Sequence, residues 1–285
     1  RDVYKRQMIV GEQEARALIK PRPKSSHKGD YGSVLLIGGF YPYGGAIIMA
    51  ALACVKTGAG LVTVATQSCN IPSLHSQLPE VMAFDSDDYK WLEKSIVQSD
   101  VIVIGPGLGV SESSRKILNQ TMEKIQSHQS VILDGSALTL LSEGAFPQTK
   151  AKNLVLTPHQ KEWERLSGIA VSQQTKENTQ TALKSFPKGT ILVAKSSHTR
   201  IFQDLDEKEI IVGGPYQATG GMGDTLCGMI AGMLAQFKEA SPLDKVSVGV
   251  YLHSAIAQGL SKEAYVVLPT TISDEIPKEM ARLSK

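Results

Sequence analysis

From residue 33 onward the chain alternates short aliphatic runs with stretches in which apolar residues recur at helical spacing. The runs 34–37, 61–65, 101–104, 131–133, 154–156 and 191–194 are dominated by Val, Ile and Leu, with few polar positions between them. A strand with one solvated face alternates apolar with polar residues, whereas a strand that is apolar throughout is covered on both faces. The pattern therefore predicts an α/β fold: a mostly parallel central sheet with helices on both faces. Residues 199–203 and 209–212, separated by the polar stretch 204–208, predict a hairpin at one edge of that sheet. Residues 46–57, apolar nearly all round, predict a buried helix, and 111–127, with a polar face, a surface helix. Beyond residue 223, Leu226, Met229, Ile230, Met233 and Leu234 keep helical spacing and 246–257 is again apolar, so the C-terminal part is helical.

Composition narrows the function classes. A chain of 285 residues with 42% hydrophobic residues can bury one large core, and no repeat or low-complexity linker marks a boundary, so one domain over 8–285 is expected. Residues 1–7 precede Met8, show no periodicity and read as a non-native leader. They hold three of the 30 basic and one of the 28 acidic residues, which leaves 27 of each. A nucleic-acid or anionic-membrane partner needs a basic surplus, and none remains. The longest apolar runs are too short to span a bilayer and no apolar signal follows Met8, so a cytoplasmic location is expected. Cys54, Cys69 and Cys227 are odd in number and lack Cys-x-x-Cys spacing, against both a disulfide framework and a zinc cage; Cys54 and Cys227 read as small core side chains.

In open α/β sheets ligands bind beyond the carboxyl ends of the strands. The turns to inspect are thus 38–45, 105–109, 134–137, 157–160, 195–199 and 213–224. The strongest signal is Ala218-Thr219-Gly220-Gly221-Met222-Gly223-Asp224, immediately before an apolar helix. Glycines let backbone approach a ligand, and the free N–H groups of a helix start attract an anion, so Gly220, Gly221 and Gly223 form a candidate phosphate turn. Asp224, in the first helical turn, is expected to be favoured in its ionised form by the same helix end and so is placed to accept a proton from an attacking hydroxyl, although the same residues could serve only as a tight turn and cap. The chain has no Gly-Lys pair, which excludes a Walker-type loop.

Other segments leave two readings open. Gly105-Pro106-Gly107-Leu108-Gly109 could bind a dinucleotide or merely turn the chain, since Val110 stands where a third spaced glycine would. His159, just past a strand, could contact substrate or be structural. Lys195, Ser196, Ser197, His198 and Thr199 offer a cation and hydroxyls for phosphate or ribose, or a solvated turn. Residues 28–32 could clasp a nucleotide or only enter the first strand.

Taken together, the run from His27 to Gly39, the run from Thr57 to Thr66, the Gly-Pro-Gly-Leu-Gly turn, Thr157-Pro158-His159 and the segment from Ala218 to Asp224 resemble the ADP/ATP-dependent NAD(P)H-hydrate dehydratase family, of ribokinase-like fold. The resemblance covers nearly all of 27–269, in the same order. It implies nicotinamide nucleotide repair: dehydration of (6S)-NAD(P)H hydrate to NAD(P)H with release of phosphate, using ADP or ATP as donor and Mg2+. By position it implies Asp224 as base and substrate contact, with Ala46, Gly107 and His159 as further substrate contacts. Gly223 and the 195–199 segment would hold the AMP part of the nucleotide. It further implies a homo-oligomer. Some relatives carry an epimerase domain ahead of this one, for which the 26 residues before His27 are too few.

The chain departs from the family pattern in three places. Asp134-Gly135-Ser136 stands where relatives usually read Asp-Ala-Asp, Ser196 follows Lys195 where glycine is usual, and Gly214 occupies a common asparagine position. Ser136 can hydrogen-bond but supplies no charge to a metal, which leaves the magnesium ligands undefined. The rival readings are a ribokinase-like kinase of a vitamin precursor (hydroxymethylpyrimidine, hydroxyethylthiazole or pyridoxal type), which would leave a stable phosphorylated product, and a nucleotide-binding regulator without turnover.

Overall fold

The computed structural model describes residues 8–144 and 146–285, so the leader expected at 1–7 lies outside the described residues. In chain order the first half comprises β1 (Met8–Ile9), α1 (Glu12–Leu18), β2 (Ser33–Ile37), α2 (Gly44–Thr57), β3 (Leu61–Thr66), α3 (Ile71–Gln77), β4 (Met82–Asp85), α4 (Tyr89–Gln98), β5 (Val101–Ile104), α5 (Glu112–Lys124), β6 (Ser130–Leu133) and α6 (Ser136–Leu141). The second half continues with β7 (Asn153–Leu156), α7 (Gln160–Ser167), α8 (Lys176–Leu183), β8 (Ile191–Ala194), β9 (Arg200–Gln203), β10 (Asp206–Glu209), α9 (Met222–Ala235), α10 (Pro242–Leu260) and α11 (Pro269–Leu283).

Among the described residues the strands form one sheet in the order β1-β10-β9-β8-β7-β6-β5-β2-β3-β4. β2 to β8 all run parallel, so the turns that follow these strands gather at one end of the sheet. The unbroken apolar runs have the expected cause. In β2, Val34 and Leu36 face one core while Leu35 and Ile37 face the other. Residues of α1, α2, α9, α10 and α11 complete the first core, and residues of α4 to α8 the second. Cys54 and Cys227 are buried free thiols, as core side chains should be.

The hairpin differs from expectation in two respects. Its turn is only Asp204–Leu205, with Asp204 at φ 51°, and its second strand is Asp206–Glu209 rather than 209–212. The polar stretch is strand because its charges are partnered: buried Glu207 pairs with Arg200 and Lys176, and Lys208 with Asp244. Nor is the hairpin outermost, since β1 pairs parallel with β10 and covers that edge.

Helices α2 and α9 approach unusually closely. A Cβ on Gly228 would stand 2.0 Å from the carbonyl oxygen of Ala50, and one on Gly232 2.7 Å from Thr57 Cβ. Gln236, closing α9, donates from Nε2 to the Thr57 and Gly232 carbonyls and locks the pair at its far end. Because the obstacle at Gly228 is backbone, Gly228→Ala is expected to lower unfolding stability by about 2–3 kcal/mol despite the gain in helix propensity. Urea unfolding of the variant beside the parent checks this. An unchanged midpoint would mean that α9 can lift off α2 without cost.

Candidate functional site

Three parallel strands end beside the start of α9. β6 delivers Asp134, β7 delivers Thr157 and His159, and β8 delivers Lys195. Asp134 is 3% exposed and its Oδ1 accepts two bonds, from Thr157 Oγ1 at 2.6 Å and Lys195 Nζ at 3.0 Å. A carboxylate at that depth persists only when paired, and the ammonium of Lys195 supplies the pair. Lys195 is held a second time by its backbone, which bridges to His159 and donates from N–H to the Pro158 carbonyl at 3.0 Å. Burial disfavours its charge, but Asp134 and Glu162 outweigh that and raise its pKa, so it remains a cation.

Over this pair lies the glycine turn. Gly221 caps α9 in the left-handed region at φ 90°, where a Cβ would also meet Met49 Sδ at 2.4 Å. Gly220 has open space around it. Gly223 sits directly above the charges: a Cβ there would lie 3.2 Å from Lys195 Nζ and 4.0 Å from Asp134 Oδ2. Asp224 therefore enters α9 beside one cation and one anion. Burial first, then repulsion from Asp134, raises its carboxyl to about 6, against the opposing attraction of Lys195, so the ionised form that the helix start was expected to favour is instead disfavoured. A carboxylate with that pKa at a helix start can hold a proton reversibly near neutrality.

The substrate-side candidates meet at the neighbouring strand ends. Gly107, at φ 61°, is so close to the start of α2 that a Cβ would lie 2.4 Å from the Tyr43 carbonyl oxygen and 2.9 Å from Ala46 Cβ. Met49, one turn beyond Ala46 on α2, is the residue that touches Gly221, so this rim is continuous with the glycine turn. Ser136 serves the framework, since its Oγ accepts from the Gly109 N–H at 3.0 Å and ties the Gly-Pro-Gly-Leu-Gly turn to α6.

His159 caps α7, its Nδ1 accepting from the Lys161 and Glu162 N–H groups, while Glu162 returns a bond to the His159 N–H. Its ring is 56% exposed, with Nε2 3.6 Å from Glu162 Oε1. Lys195 to Thr199 form the β8–β9 bend, closed internally by Ser196 Oγ to the His198 carbonyl and Thr199 Oγ1 to the Ser196 carbonyl. Ser197 and His198 are exposed there. The 28–31 segment is a single 3-10 turn capped by His27, at the amino end of β2 and away from these strand ends, in keeping with an entry turn.

Sequence reasoning passed over Asp134 as a site residue in its own right, as well as Thr157, Glu162 and Met49. A carboxylate at the carboxyl end of an all-apolar strand was the available signal for Asp134. The others depend on tertiary neighbours. A cavity of about 1030 Å³ lies at the opposite end, between Arg22, Tyr31, Gly58 and Phe237. It lies at the amino ends of β2 and β3 and holds no comparable charge pair at a helix start, so the chemistry belongs to the carboxyl ends of the strands beside Asp224.

Comparison with known proteins agrees with this geometry. A family model described as NAD(P)H-hydrate dehydratase matches residues 34–278. An ADP-dependent (S)-NAD(P)H-hydrate dehydratase of Streptococcus thermophilus is 54% identical over 277 residues, covering 97% of this chain and all of that one. A solved ribokinase-like superfamily protein of Enterococcus faecalis superposes with a TM-score of 0.94 at 42% identity, covering 100% of this chain and 99% of that chain. The ADP/ATP-dependent NAD(P)H-hydrate dehydratase of Bacillus subtilis, crystallised with ATP and Mg2+, gives a TM-score of 0.86 at 30% identity, covering 97% and 99% of the two chains. The sheet and its helices are thus those of a ribokinase-like fold.

Proposed function

Because the chain belongs to the NAD(P)H-hydrate dehydratase family, we propose that it repairs hydrated nicotinamide nucleotides, with residues 8–285 acting as one unit. The observation that carries the reading is Asp224: a partly buried carboxylate, raised to about 6, on the glycine start of α9 beside a Lys195–Asp134 pair. A kinase of a vitamin precursor would use a similar turn. The full-length relatives at up to 54% identity favour repair.

The hydrate carries a hydroxyl on its reduced ring, and hydroxide leaves poorly. Asp224 accepts the hydroxyl proton as the oxygen attacks the terminal phosphorus of ADP or ATP, whose bond to the nucleotide breaks with AMP or ADP departing. Phosphate then leaves with the C–O electron pair, and loss of a proton from the neighbouring carbon restores the ring double bond. The Gly220, Gly221 and Gly223 backbone and the Lys195 ammonium stabilise charge on the transferring group. Gly223 and the 195–199 bend hold the AMP part. Ala46, Gly107 and His159 line the nicotinamide side.

Magnesium suits the site as a companion of the phosphates. Among the described residues no three His, Cys, Asp or Glu side chains form a cage, and magnesium characteristically takes one or two carboxylates and completes its shell with phosphate and water. Asp134, whose Oδ2 lies on the Gly223 side, would be its protein ligand, and the ion would neutralise phosphate charge. No helix among the described residues is long and apolar enough to cross a membrane. A cytoplasmic location and a homo-oligomeric assembly complete the proposal.

The test is incubation of the purified protein with hydrated NADH or NADPH, Mg2+ and either ADP or ATP. Reduced-nicotinamide absorbance and free phosphate are followed together. Equal return of both is expected, and the faster nucleotide identifies the donor. A stable phosphorylated product without phosphate release would instead assign a kinase. Nucleotide binding with no turnover would assign a regulator.

A further inference from the structure

Beneath the glycine turn lies a group that the mechanism above does not use. His253, on α10, is only 5% exposed, and its Nδ1 lies 3.4 Å from Gln217 Nε2. Gln217 spends its side-chain oxygen on the Gly214 N–H at 3.3 Å, so its amide N–H faces the imidazole and Nδ1 is the acceptor. That leaves the ring proton on Nε2. The backbone carbonyl of Gln217 in turn accepts from the Thr219 N–H at 2.8 Å, one residue before Gly220. The loop is seated on α10 at this point, since a Cβ on Gly213 would meet Gln217 Oε1 at 2.8 Å and Ser254 Cβ at 3.5 Å. A second tie, the Val267 N–H to the Tyr216 carbonyl at 3.0 Å, holds the same loop from the segment before α11.

We propose that His253 is a positioning residue for the phosphate turn: its ring fixes Gln217, and Gln217 fixes the loop that delivers Thr219, Gly220 and Gly221 to the start of α9. The proposal rests on the reading of that turn as the nucleotide phosphate site. Loops built of glycine are intrinsically free, and the N–H groups of 220–223 point usefully at phosphate only if something outside the turn sets their direction. An imidazolium could not do this, because both its nitrogens would donate and Nδ1–H would oppose the Gln217 amide. Burial and the Lys195 ammonium keep the ring neutral, pushing it down to about 4 against the opposing pull of the Met222 backbone.

The test compares His253→Ala, Gln217→Ala, His253→Asn and Val250→Ala for ADP affinity by calorimetry with Mg2+ present, and for kcat with hydrated NADH. Val250 is a buried core residue one turn earlier on α10 and serves as the control for lost packing. The expected result is about tenfold weaker ADP binding in His253→Ala and Gln217→Ala. Their kcat should fall to match, while KM for the hydrate stays unchanged. His253→Asn, whose side-chain oxygen reaches the Nδ1 position, should recover most of both. Val250→Ala should lower the melting temperature and leave ADP affinity intact. The proposal is overturned if Gln217→Ala binds ADP like the parent, or if His253→Ala and Val250→Ala lose affinity alike. A parent protein that binds ADP but repairs no hydrate would defeat the functional assignment, and the ADP affinities would still decide the role of His253.

Discussion

Asp224→Asn is expected to abolish most turnover while making the protein more stable. Removing a general base from a proton-transfer step typically costs about 10²–10⁴-fold in rate. The same carboxyl has its pKa raised from 3.8 to about 6 by burial and by repulsion from Asp134, so ionising it in the folded state opposes folding. A raised folded-state pKa contributes stability that is complete below pH 4 and is lost as pH rises through 6. Two pKa units correspond to about 2–3 kcal/mol, which sets the gain expected for the neutral amide at pH 7–8. Urea unfolding of parent and variant should therefore diverge between pH 4 and 7 and converge below pH 4. In the parent, kcat/KM should fall toward acid with a midpoint near 6, the pH at which Asp224 takes up its proton. A variant that is inactive but no more stable at pH 7–8 would contradict the account of Asp224 as a carboxylate held charged at a cost.

This trade between stability and reactivity also marks where sequence reasoning succeeded and where it stopped. The sheet was legible because strands covered on both faces must be apolar without interruption, and β5 and β8 are so throughout and β2, β6 and β7 from their second residue on. The glycine turn was legible because Gly221 answers a local demand, a positive φ that residues with a side chain rarely adopt. By contrast, β10 was displaced because Glu207 and Lys208 owe their place in the strand to Arg200, Lys176 and Asp244, charges that lie far apart in the chain. The pairing of Asp134 with Lys195 spans 61 positions. His253 reads as an ordinary member of an apolar helix until the fold sets it under Gln217. Local chemistry was thus visible in the chain. Partnership across the sheet was not.

The Asp134–Lys195 pair offers the second large effect, because its stabilising and chemical roles can be separated. Asp134→Asn strands the Lys195 ammonium, and Lys195→Met strands the Asp134 carboxylate, although Thr157 continues to bond it. Removing one partner of a buried pair costs about 3–5 kcal/mol. Lys195 keeps 20% side-chain exposure, so the lower end is expected for Asp134→Asn. The double variant Asp134→Asn/Lys195→Met leaves no unpaired charge, and the new amide oxygen would still accept from Thr157, so its stability should return to within about 1 kcal/mol of the parent. Its turnover should not return, since the cation beneath Gly223 and the carboxylate proposed to hold magnesium are both gone, and a loss of about 10²–10³-fold should persist. The two single variants should also move the acid limb of kcat/KM in opposite directions. Losing Asp134 removes a repulsion and lowers the Asp224 midpoint, whereas losing Lys195 removes an attraction and raises it. If the double variant recovered turnover along with stability, Lys195 would be only a structural counter-ion for Asp134, Asp134 would not be the magnesium ligand, and the charge on the transferring phosphate would have to be met by the turn and by a metal held without Asp134.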